Sequence, residues 1–170
     1  MNEFKGYRNG VDLGGWLSQC GYEKEHIESF ITEADIARIA SWGCDHVRLP
    51  FDYNIILDDS GNVLESGLKL LERCADWCGV HGLSIILDLH KTMGFSFDKG
   101  EQESGFFEDQ RYQDIFVNLW SHIAKRFGNR NYVAFELLNE ITERRFAEIW
   151  NRIAARTITE IRRYAPDNFV

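Results

Sequence analysis

Two carboxylates and an amide stand close together in the stretch AFELLNE, residues 134–140. Glu136 lies inside an apolar run that is typical of a buried strand, and the run ends on Asn139 and Glu140. Burying an unpaired charge is costly, so an acid inside such a strand needs a basic partner or a function. Carboxyl groups can also donate and accept protons. The stretch therefore raises the question of which elements position these groups and what other residues lie beside them.

Side chains that could bind a ligand or take part in catalysis also lie at the ends of the three earlier predicted strands. Trp16 ends the first strand, Arg48 lies near the end of the second, and His90 follows the third. In folds with parallel strands and a barrel-like arrangement, active-site residues gather at the carboxyl ends of the strands. We therefore expect these three residues to share one site with Asn139 and Glu140.

Strands and amphipathic helices alternate along the chain. The predicted strands cover 10–16, 45–49, 84–89 and 133–138, and the predicted helices cover 32–42, 65–80, 110–127 and 146–164. Thr32 and Asp35 have the spacing of a capping box, and Gly43, Gly82 and Gly128 follow the ends of three helices. Residues 168–170 look like the start of a fifth strand. This alternation predicts an α/β fold in which parallel strands are joined by right-handed crossovers.

Two architectures share this alternation, an open doubly wound sheet and a (β/α) barrel. A doubly wound nucleotide-binding fold normally carries a G-x-G-x-x-G loop after its first strand, and GVDLGGW at 10–16 lacks that spacing. Along the strands, apolar residues such as Val47 and Leu87 alternate with polar residues such as Arg48 and Asp88. One apolar face toward helices and one polar face toward a shared interior favour the barrel.

The number of units is half of that in a barrel. Four βα units and the start of a fifth strand are present in 170 residues, whereas a complete eightfold barrel takes about 250 residues. We therefore predict that 1–170 is a single incomplete domain, the N-terminal half of a (β/α)8 TIM barrel. Such a half should leave two sheet edges and apolar surface exposed.

Composition excludes several classes of partner. The formal net charge is −8, the pI is about 5.1 and 44% of the residues are hydrophobic. This acidity argues against sequence-independent nucleic-acid binding and against binding to anionic lipid. No apolar stretch approaches the roughly 20 residues of a membrane span, and the start, MNEFKGYRNG, has no apolar signal core.

Cysteine and histidine positions give no metal-site pattern. The four cysteines are interpreted as reduced thiols, which suits a cytoplasmic chain, although a longer parent protein could be secreted. The histidines that might ligate a metal fall on different elements without zinc spacing. We therefore expect no metal and no cofactor. The residues considered are Cys20, Cys44, Cys74, Cys78, His46, His81, His90 and His122.

Four motifs together resemble a known family. GVDLGGWLSQ, DHVRLPFDY, LDLHKTMGFSF and FELLNE, in this order, resemble the N-terminal half of glycoside hydrolase family 5, and are most similar to bacterial endoglucanases of the cellulase type. The resemblance covers essentially all 170 residues. It implies a retaining β-glycoside hydrolase that acts on β-glucan polysaccharide and uses no cofactor.

The resemblance implies a role for each strand-end residue. Glu140 would be the general acid/base, Asn139 would bond the sugar 2-hydroxyl, and His90 would line the subsite where the bond breaks. Arg48 would brace the catalytic carboxylates. Trp16 could be a platform for a sugar ring or a core residue, and we expect it to bind substrate. The nucleophile of the family, a glutamate at the end of strand seven, would be absent from this chain.

Glu136 does not suit the role of second carboxylate. Retaining glycosidases hold their two carboxyl groups roughly 5–5.5 Å apart. On one continuous strand, four residues at about 3.3 Å each place Glu136 about 13 Å from Glu140. We expect instead that Glu136 pairs with a base, Arg48, and that Asp88 has a similar structural part.

The loop after the third strand allows two interpretations. Its phenylalanines could form a cleft wall for sugar rings, or they could be a local apolar cluster that pins a long loop. They are Phe95, Phe97, Phe106 and Phe107.

A half barrel also leaves alternative functions open. The chain could be catalytically inactive and bind sugar or self-associate as a homodimer, or a second half-barrel chain could complete it. We expect that the chain alone does not hydrolyse polysaccharide by a route that needs two carboxylates.

Overall fold

Four parallel strands form one sheet in the computed structural model, which describes residues 6–98 and 104–170. The strands are β1 (Gly10–Asp12), β2 (His46–Asp52), β3 (Ser84–Lys91) and β4 (Val133–Glu136). The helices are α1 (Lys24–Ser29), α2 (Glu33–Ser41), α3 (Tyr53–Ile56), α4 (Glu65–Val80), α5 (Gln110–Phe127) and α6 (Ala147–Ile161), with a 3₁₀ turn at Arg144–Phe146. The strands lie side by side in chain order. The predicted series of parallel βα units is therefore confirmed.

The core lies between the sheet and its helices. Val47 of β2 and Leu87 of β3 are completely buried, as is Trp120 of α5. Arg48, the polar neighbour of Val47, lies on the other face of the sheet and is only half-buried. The alternation read from the sequence thus separates an apolar helix-packed face from a polar face, as a barrel requires.

Local sequence signals account for the long helices. Helices α4 and α5 form over the predicted residues because each has a continuous apolar stripe facing the sheet. The capping box before α2 also forms, since the Asp35 carboxylate accepts hydrogen bonds from the backbone N–H of Thr32 at 2.9 Å and from its hydroxyl at 2.7 Å. At the start of α5, the Asp109 side chain accepts a hydrogen bond from Arg111 N–H.

Two strands end earlier than predicted. β1 stops at Asp12 and not at residue 16, because Gly14 and Gly15 form a turn in which Gly15 has a φ of 75°. β4 stops at Glu136 and not at residue 138. The segment after β4 is irregular, so the distance that a continuous strand would give between Glu136 and Glu140 does not apply.

The three helix-ending glycines do not all have the same role. Gly43 and Gly82 have positive φ angles of 81° and 71°, as expected at a helix end. Gly128 has a right-handed φ of −62°. A Cβ atom on Gly128 would lie 2.2 Å from the carbonyl oxygen of Tyr164. Gly128 is therefore required for a close approach of two backbones and not for a left-handed turn.

The last residues lie beside β4. Phe135 N–H donates a hydrogen bond of 3.0 Å to the Phe169 carbonyl, and the Asn168 amide donates to the Val133 carbonyl at 2.9 Å. These bonds agree with the prediction that a fifth strand starts here. Among the described helices, none is both long enough and apolar enough to cross a lipid bilayer.

Candidate active site

Backbone and indole hydrogen bonds hold the segment that follows β4. Asn139 N–H donates to the Leu89 carbonyl of β3 at 3.1 Å. The indole N–H of Trp120, on α5, donates to the Leu137 carbonyl at 3.2 Å. These bonds place Asn139 beside the end of β3, where His90 lies. The structure thus brings together two of the predicted site residues that are 49 positions apart.

Arg48 connects β2 to the acids of β3 and β4. Its Nε donates to Oε2 of Glu136 and its Nη2 donates to Oε1, both at 2.7 Å. Nη2 also donates to Oδ1 of Asn139 at 3.1 Å, and Nη1 donates to Asp12 at 3.2 Å. The predicted pairing of Glu136 with Arg48 is therefore confirmed. The hydrogen bond that Arg48 donates to Glu136 raises the pKa of Arg48, so the guanidinium stays charged.

Asp88 lies at the centre of this network and is completely buried. Its Oδ2 lies 2.7 Å from His90 Nδ1 and 2.9 Å from Arg48 Nη2. Burial raises the pKa of Asp88 to about 6, although His90 and Arg48 act in the opposite direction. The carboxyl group is thus ionised at neutral pH and holds two cationic or donating groups.

His90 is half-buried between Asp88 and Asn139. Burial alone lowers the pKa of the imidazole, but the hydrogen bond and charge of Asp88 outweigh this effect and raise the pKa above its usual value. His90 Nε2 lies 3.5 Å from Asn139 Nδ2. The ring is therefore held from both sides.

Glu140 differs from Glu136, Asp88 and Asp52 because its side chain is exposed. Among the described residues, none forms a hydrogen bond or ion pair with its carboxyl group. Its φ of 47° lies in the left-handed region, which costs a residue other than glycine about 1 kcal/mol or more. Such strain is frequent where a side chain is held in place for function. Glu140 is thus an exposed carboxyl group at a strained backbone position beside Asn139.

Trp16 does not lie where a sugar-binding residue would. Its side chain is completely buried, its indole N–H donates to the Ile27 carbonyl at 2.9 Å, and its ring stacks on Trp77 with centroids 6.3 Å apart. The expected role in substrate binding is therefore wrong for this structure. The turn at Gly14 and Gly15 ends β1 before Trp16, so Trp16 does not lie at the strand end on which that expectation rested.

The phenylalanines after β3 form an apolar cluster. Phe106 is completely buried and Phe107 is 9% exposed, and their rings meet edge to face at 5.1 Å. Phe107 also stacks at 4.0 Å on Phe146, in the loop after β4. Phe95 is half-buried in the same cluster, whereas Phe97 is exposed. The cluster interpretation holds for Phe106 and Phe107, which tie together the loops after β3 and β4.

A second polar cluster beside the site was missed from the sequence. Asp52, 3% exposed, accepts hydrogen bonds from the hydroxyl of Tyr22 at 2.6 Å and from the backbone N–H of Gln19 at 3.0 Å. The Lys91 ammonium donates to the Tyr22 hydroxyl at 3.1 Å. The sequence signal that could have revealed this cluster is the position of Asp52 and Lys91, which come just after the predicted strands 45–49 and 84–89. Within the described residues, no group of three or more His, Cys, Asp and Glu side chains could hold a metal ion.

Comparison with known proteins identifies relatives of this arrangement. The model of the cellulase family, glycosyl hydrolase family 5, matches residues 8–170. Cellodextrinase A of Ruminococcus flavefaciens is 47% identical over 98% of this chain and 50% of its own length. Endoglucanase C of Acetivibrio thermocellus is 44% identical over 92% of this chain and 46% of its own. The chain thus spans about half the length of these relatives.

Solved structures agree on the fold. A glycoside hydrolase structure superposes with a TM-score of 0.81 at 23% identity, over 95% of this chain and 51% of that chain. An endoglucanase of Thermotoga maritima superposes with a TM-score of 0.77 at 19% identity, over 96% of this chain and 50% of that one. The fold is α/β, and it matches half of the TIM barrel of these proteins. The chain belongs to glycosyl hydrolase family 5, the cellulase family.

Proposed function

We propose that this chain supplies the acid/base half of a retaining β-glycoside hydrolase that acts on β-glucan. The single observation that carries the proposal is Glu140, an exposed carboxyl group beside an amide that Arg48 and His90 hold in place. A retaining glycosidase needs one carboxyl group that protonates the leaving oxygen and later activates water. The exposure of Glu140 supports that role, and in this proposal Asn139 bonds a sugar hydroxyl beside it.

Among the described residues, the same site has no second carboxyl group that is free to attack a sugar. Glu136 is bound by Nε and Nη2 of Arg48, and Asp12 is bound by Nη1. Asp88 and Asp52 are buried. A nucleophile must be ionised and within reach of the anomeric carbon. We therefore place the nucleophile outside this chain, on the half of the barrel that the relatives have and this chain does not span.

The edges of the sheet favour assembly with that second half. Beside β1 lies an open groove of about 300 Å³, and at its side the rings of Phe30 and Trp42 are 49% and 63% exposed. Beside β4 lies a second groove of about 300 Å³, lined mainly by apolar residues that include Phe135 and Phe169. Large exposed apolar surfaces mark interaction sites. The occupant that fits both edges at once is a complementary half barrel.

The substrate class follows from the relatives and not from the geometry of this half. Cellodextrinase A and endoglucanase C carry names of enzymes that act on β-glucans, and one solved structure of this fold is a complex with cellopentaose. We therefore propose a β-linked glucan oligosaccharide or polysaccharide as the substrate.

A chimera tests the proposal. This chain replaces the matching half of cellodextrinase A, to which it is 47% identical, and the release of reducing ends from β-glucan is measured. We expect the chimera to be active and the 170-residue chain alone to be inactive. Glu140→Gln in the chimera should lower the rate by about 10²–10⁴, the usual contribution of general acid–base catalysis.

A second substrate separates the acid role from simple damage to the site. A dinitrophenyl glycoside has a leaving group that departs without a proton, so the first step should persist in the Glu140→Gln chimera. Absence of an initial burst of dinitrophenolate from the Glu140→Gln chimera, or Glu140-dependent activity of the chain alone, would contradict the proposal.

A further inference from the structure

We propose that Asp88 is a positioning residue for the candidate active site: its buried carboxylate fixes the proton of His90 on Nδ1 and leaves Nε2 as the hydrogen-bond acceptor for the Asn139 amide. The inference rests on the proposed function, because it concerns how the same site is ordered. It goes beyond the structural pairing expected of Asp88.

The argument begins at Arg48, whose guanidinium can only donate hydrogen bonds. Nη2 lies 3.1 Å from Oδ1 of Asn139. The oxygen of the Asn139 amide must therefore face Arg48, and Nδ2 must face the other way. An amide in the flipped orientation would point its NH₂ group at a donor.

The second step concerns His90. With its oxygen toward Arg48, the Asn139 amide presents Nδ2, a donor, to His90 Nε2 at 3.5 Å. Two donors repel, so Nε2 must be without a proton for this contact to be favourable. A neutral imidazole carries one proton, which must then be on Nδ1.

The third step identifies what holds that proton. His90 Nδ1 lies 2.7 Å from Oδ2 of Asp88, and the same oxygen lies 2.9 Å from Arg48 Nη2. An oxygen that already faces a permanent donor is an acceptor. Asp88 is completely buried, so no solvent competes for the bond. Asp88, His90, Asn139 and Arg48 thus form a closed ring in which every proton position is determined.

The ring has a consequence for substrate binding. With Oδ1 of Asn139 committed to Arg48, the remaining N–H of Nδ2 is the group that can meet a sugar hydroxyl. Loss of the Asp88 carboxylate should release the His90 tautomer, and the orientation of the amide beside Glu140 would then no longer be determined.

The test is NMR of the folded 170-residue chain with ¹⁵N-labelled histidine at a pH above the His90 titration. We expect Nδ1 of His90 to show the shift of a protonated ring nitrogen and Nε2 the shift of an unprotonated one. The opposite assignment in the wild-type chain would overturn the proposal, whatever the variants do. The readout needs no sugar cleavage, so it is independent of whether the proposed function holds.

Asp88→Asn then tests the cause. We expect the His90 titration to move to lower pH, the neutral ring to populate both tautomers, and the side-chain NH₂ signals of Asn139 to shift. The other charged groups around the His90–Asp88 pair are Arg48 from β2 and Asp52 at the end of β2, which act on His90, and Glu136 from β4, which acts on Asp88. All three remain in the variant. Unchanged His90 and Asn139 signals in a folded Asp88→Asn chain would show that Asp88 has a packing role only.

Asp45→Asn is the matched control. Asp45 lies 2.7 Å from His46 Nδ1 in a similar pair just before β2, away from the site. The substitution should move the signals of His46 and leave those of His90 and Asn139 in place. A His90 response as large as that to Asp88→Asn would mean that any nearby charge acts on the ring, and would overturn the assignment to Asp88.

Discussion

Arg48 is the residue on which the acids of the candidate site depend. Its guanidinium meets Glu136 at 2.7 Å, Asp88 at 2.9 Å and Asp12 at 3.2 Å. Removing one partner of a buried ion pair leaves the remaining charges without compensation. We expect Arg48→Met to lower the free energy of unfolding by about 3 kcal/mol, because it isolates the buried Asp88 carboxylate. Urea unfolding monitored by circular dichroism measures this loss.

Arg126→Met is the control for Arg48→Met. Arg126 also meets two acids, Glu65 at 2.6 Å and Glu72 at 2.8 Å. This pairing lies on the helix surface, where ion pairs contribute little. The loss for Arg126→Met should therefore be much smaller. Equal losses of unfolding free energy for the two variants would mean that the burial of Asp88 does not increase the contribution of the Arg48 contacts to stability.

The stability of the chain should depend on the ionisation of Asp88. Its pKa is raised from 3.8 to about 6 in the folded state, so the folded chain binds the Asp88 proton more tightly than the unfolded chain does. The resulting stabilisation is complete below pH 4 and is lost as the pH rises through 6, with a ceiling of about 3 kcal/mol. Thermal unfolding at pH 5 and at pH 7.5 measures the difference.

Asp88→Asn removes that contribution. The variant cannot ionise at this position, so its stability should change less between pH 5 and pH 7.5 than that of the wild-type chain. The raised pKa of His90 acts in the same direction, and the variant removes it as well, because it is Asp88 that raises it. The same pH dependence in both chains would refute a perturbed ionisation at Asp88.

At the scale of elements, two glycines that follow helices are required for different reasons: Gly128 for close backbone packing and Gly43 for its positive φ. A Cβ at Gly128, after α5, would lie 2.2 Å from the Tyr164 carbonyl oxygen, a backbone atom that cannot move aside freely. At Gly43, after α2, a Cβ would meet nothing within 4 Å, and only its φ of 81° opposes a side chain. We expect Gly43→Ala to cost about 1 kcal/mol and Gly128→Ala to cost about 3 kcal/mol.

Chemical denaturation of both alanine variants measures the two costs side by side. Each substitution adds one methyl group after a helix, so the pair differs mainly in what that methyl group meets. If Gly43→Ala were the more destabilising change, backbone conformation would outweigh the close approach at Gly128.

The sequence predicts elements well where one local signal decides them. Helices α4 and α5 have the predicted bounds because apolar periodicity continues through each. The predicted β1 is too long because a turn interrupts it at Gly15, which has a positive φ. The glycines in the sequence allow such a turn but do not show that it forms. The buried position of Trp16 followed from that turn. In the sequence, Gly128 resembles a helix-capping glycine. Its actual role depends on a tertiary contact, the close approach of the Tyr164 carbonyl.

The site was predictable where family motifs and strand ends coincide. The pairing of Arg48 with Glu136 follows from two opposite charges on one face of the sheet, on the strands β2 and β4 that flank β3. The cluster of Asp52, Tyr22 and Lys91 was not predicted, since β2 has an irregular register after Phe51 and the loop before α1 brings Tyr22 to it. Side-chain alternation cannot be continued through such an irregularity.

At the scale of the whole molecule, the sheet is open where a barrel would be closed. β1 and β4 are its outer strands within the described residues, and an open strand edge is a template for pairing with another chain. Apolar surface accompanies the edges, with Trp42 63% exposed beside the β1 groove. Association through these edges would remove both features at once.

The last prediction concerns that association. The C-terminal half of cellodextrinase A, supplied as a separate chain, should bind this chain, and Trp42→Asp should weaken binding at least tenfold. Exposed tryptophans at interfaces often contribute 2 kcal/mol or more, and a charge at this position would be buried against apolar surface. Calorimetric titration measures the affinity, with circular dichroism to show that each variant is folded.

Val80→Asp is the matched control for Trp42→Asp. Val80 is 73% exposed at the end of α4 and does not line either groove, so the same added charge should leave the affinity unchanged. Sedimentation of the chain alone tests the remaining alternative, in which the chain forms a homodimer. A concentration-dependent dimer that Trp42→Asp dissociates would show that a second copy of this chain occupies the β1 edge, in place of a complementary half.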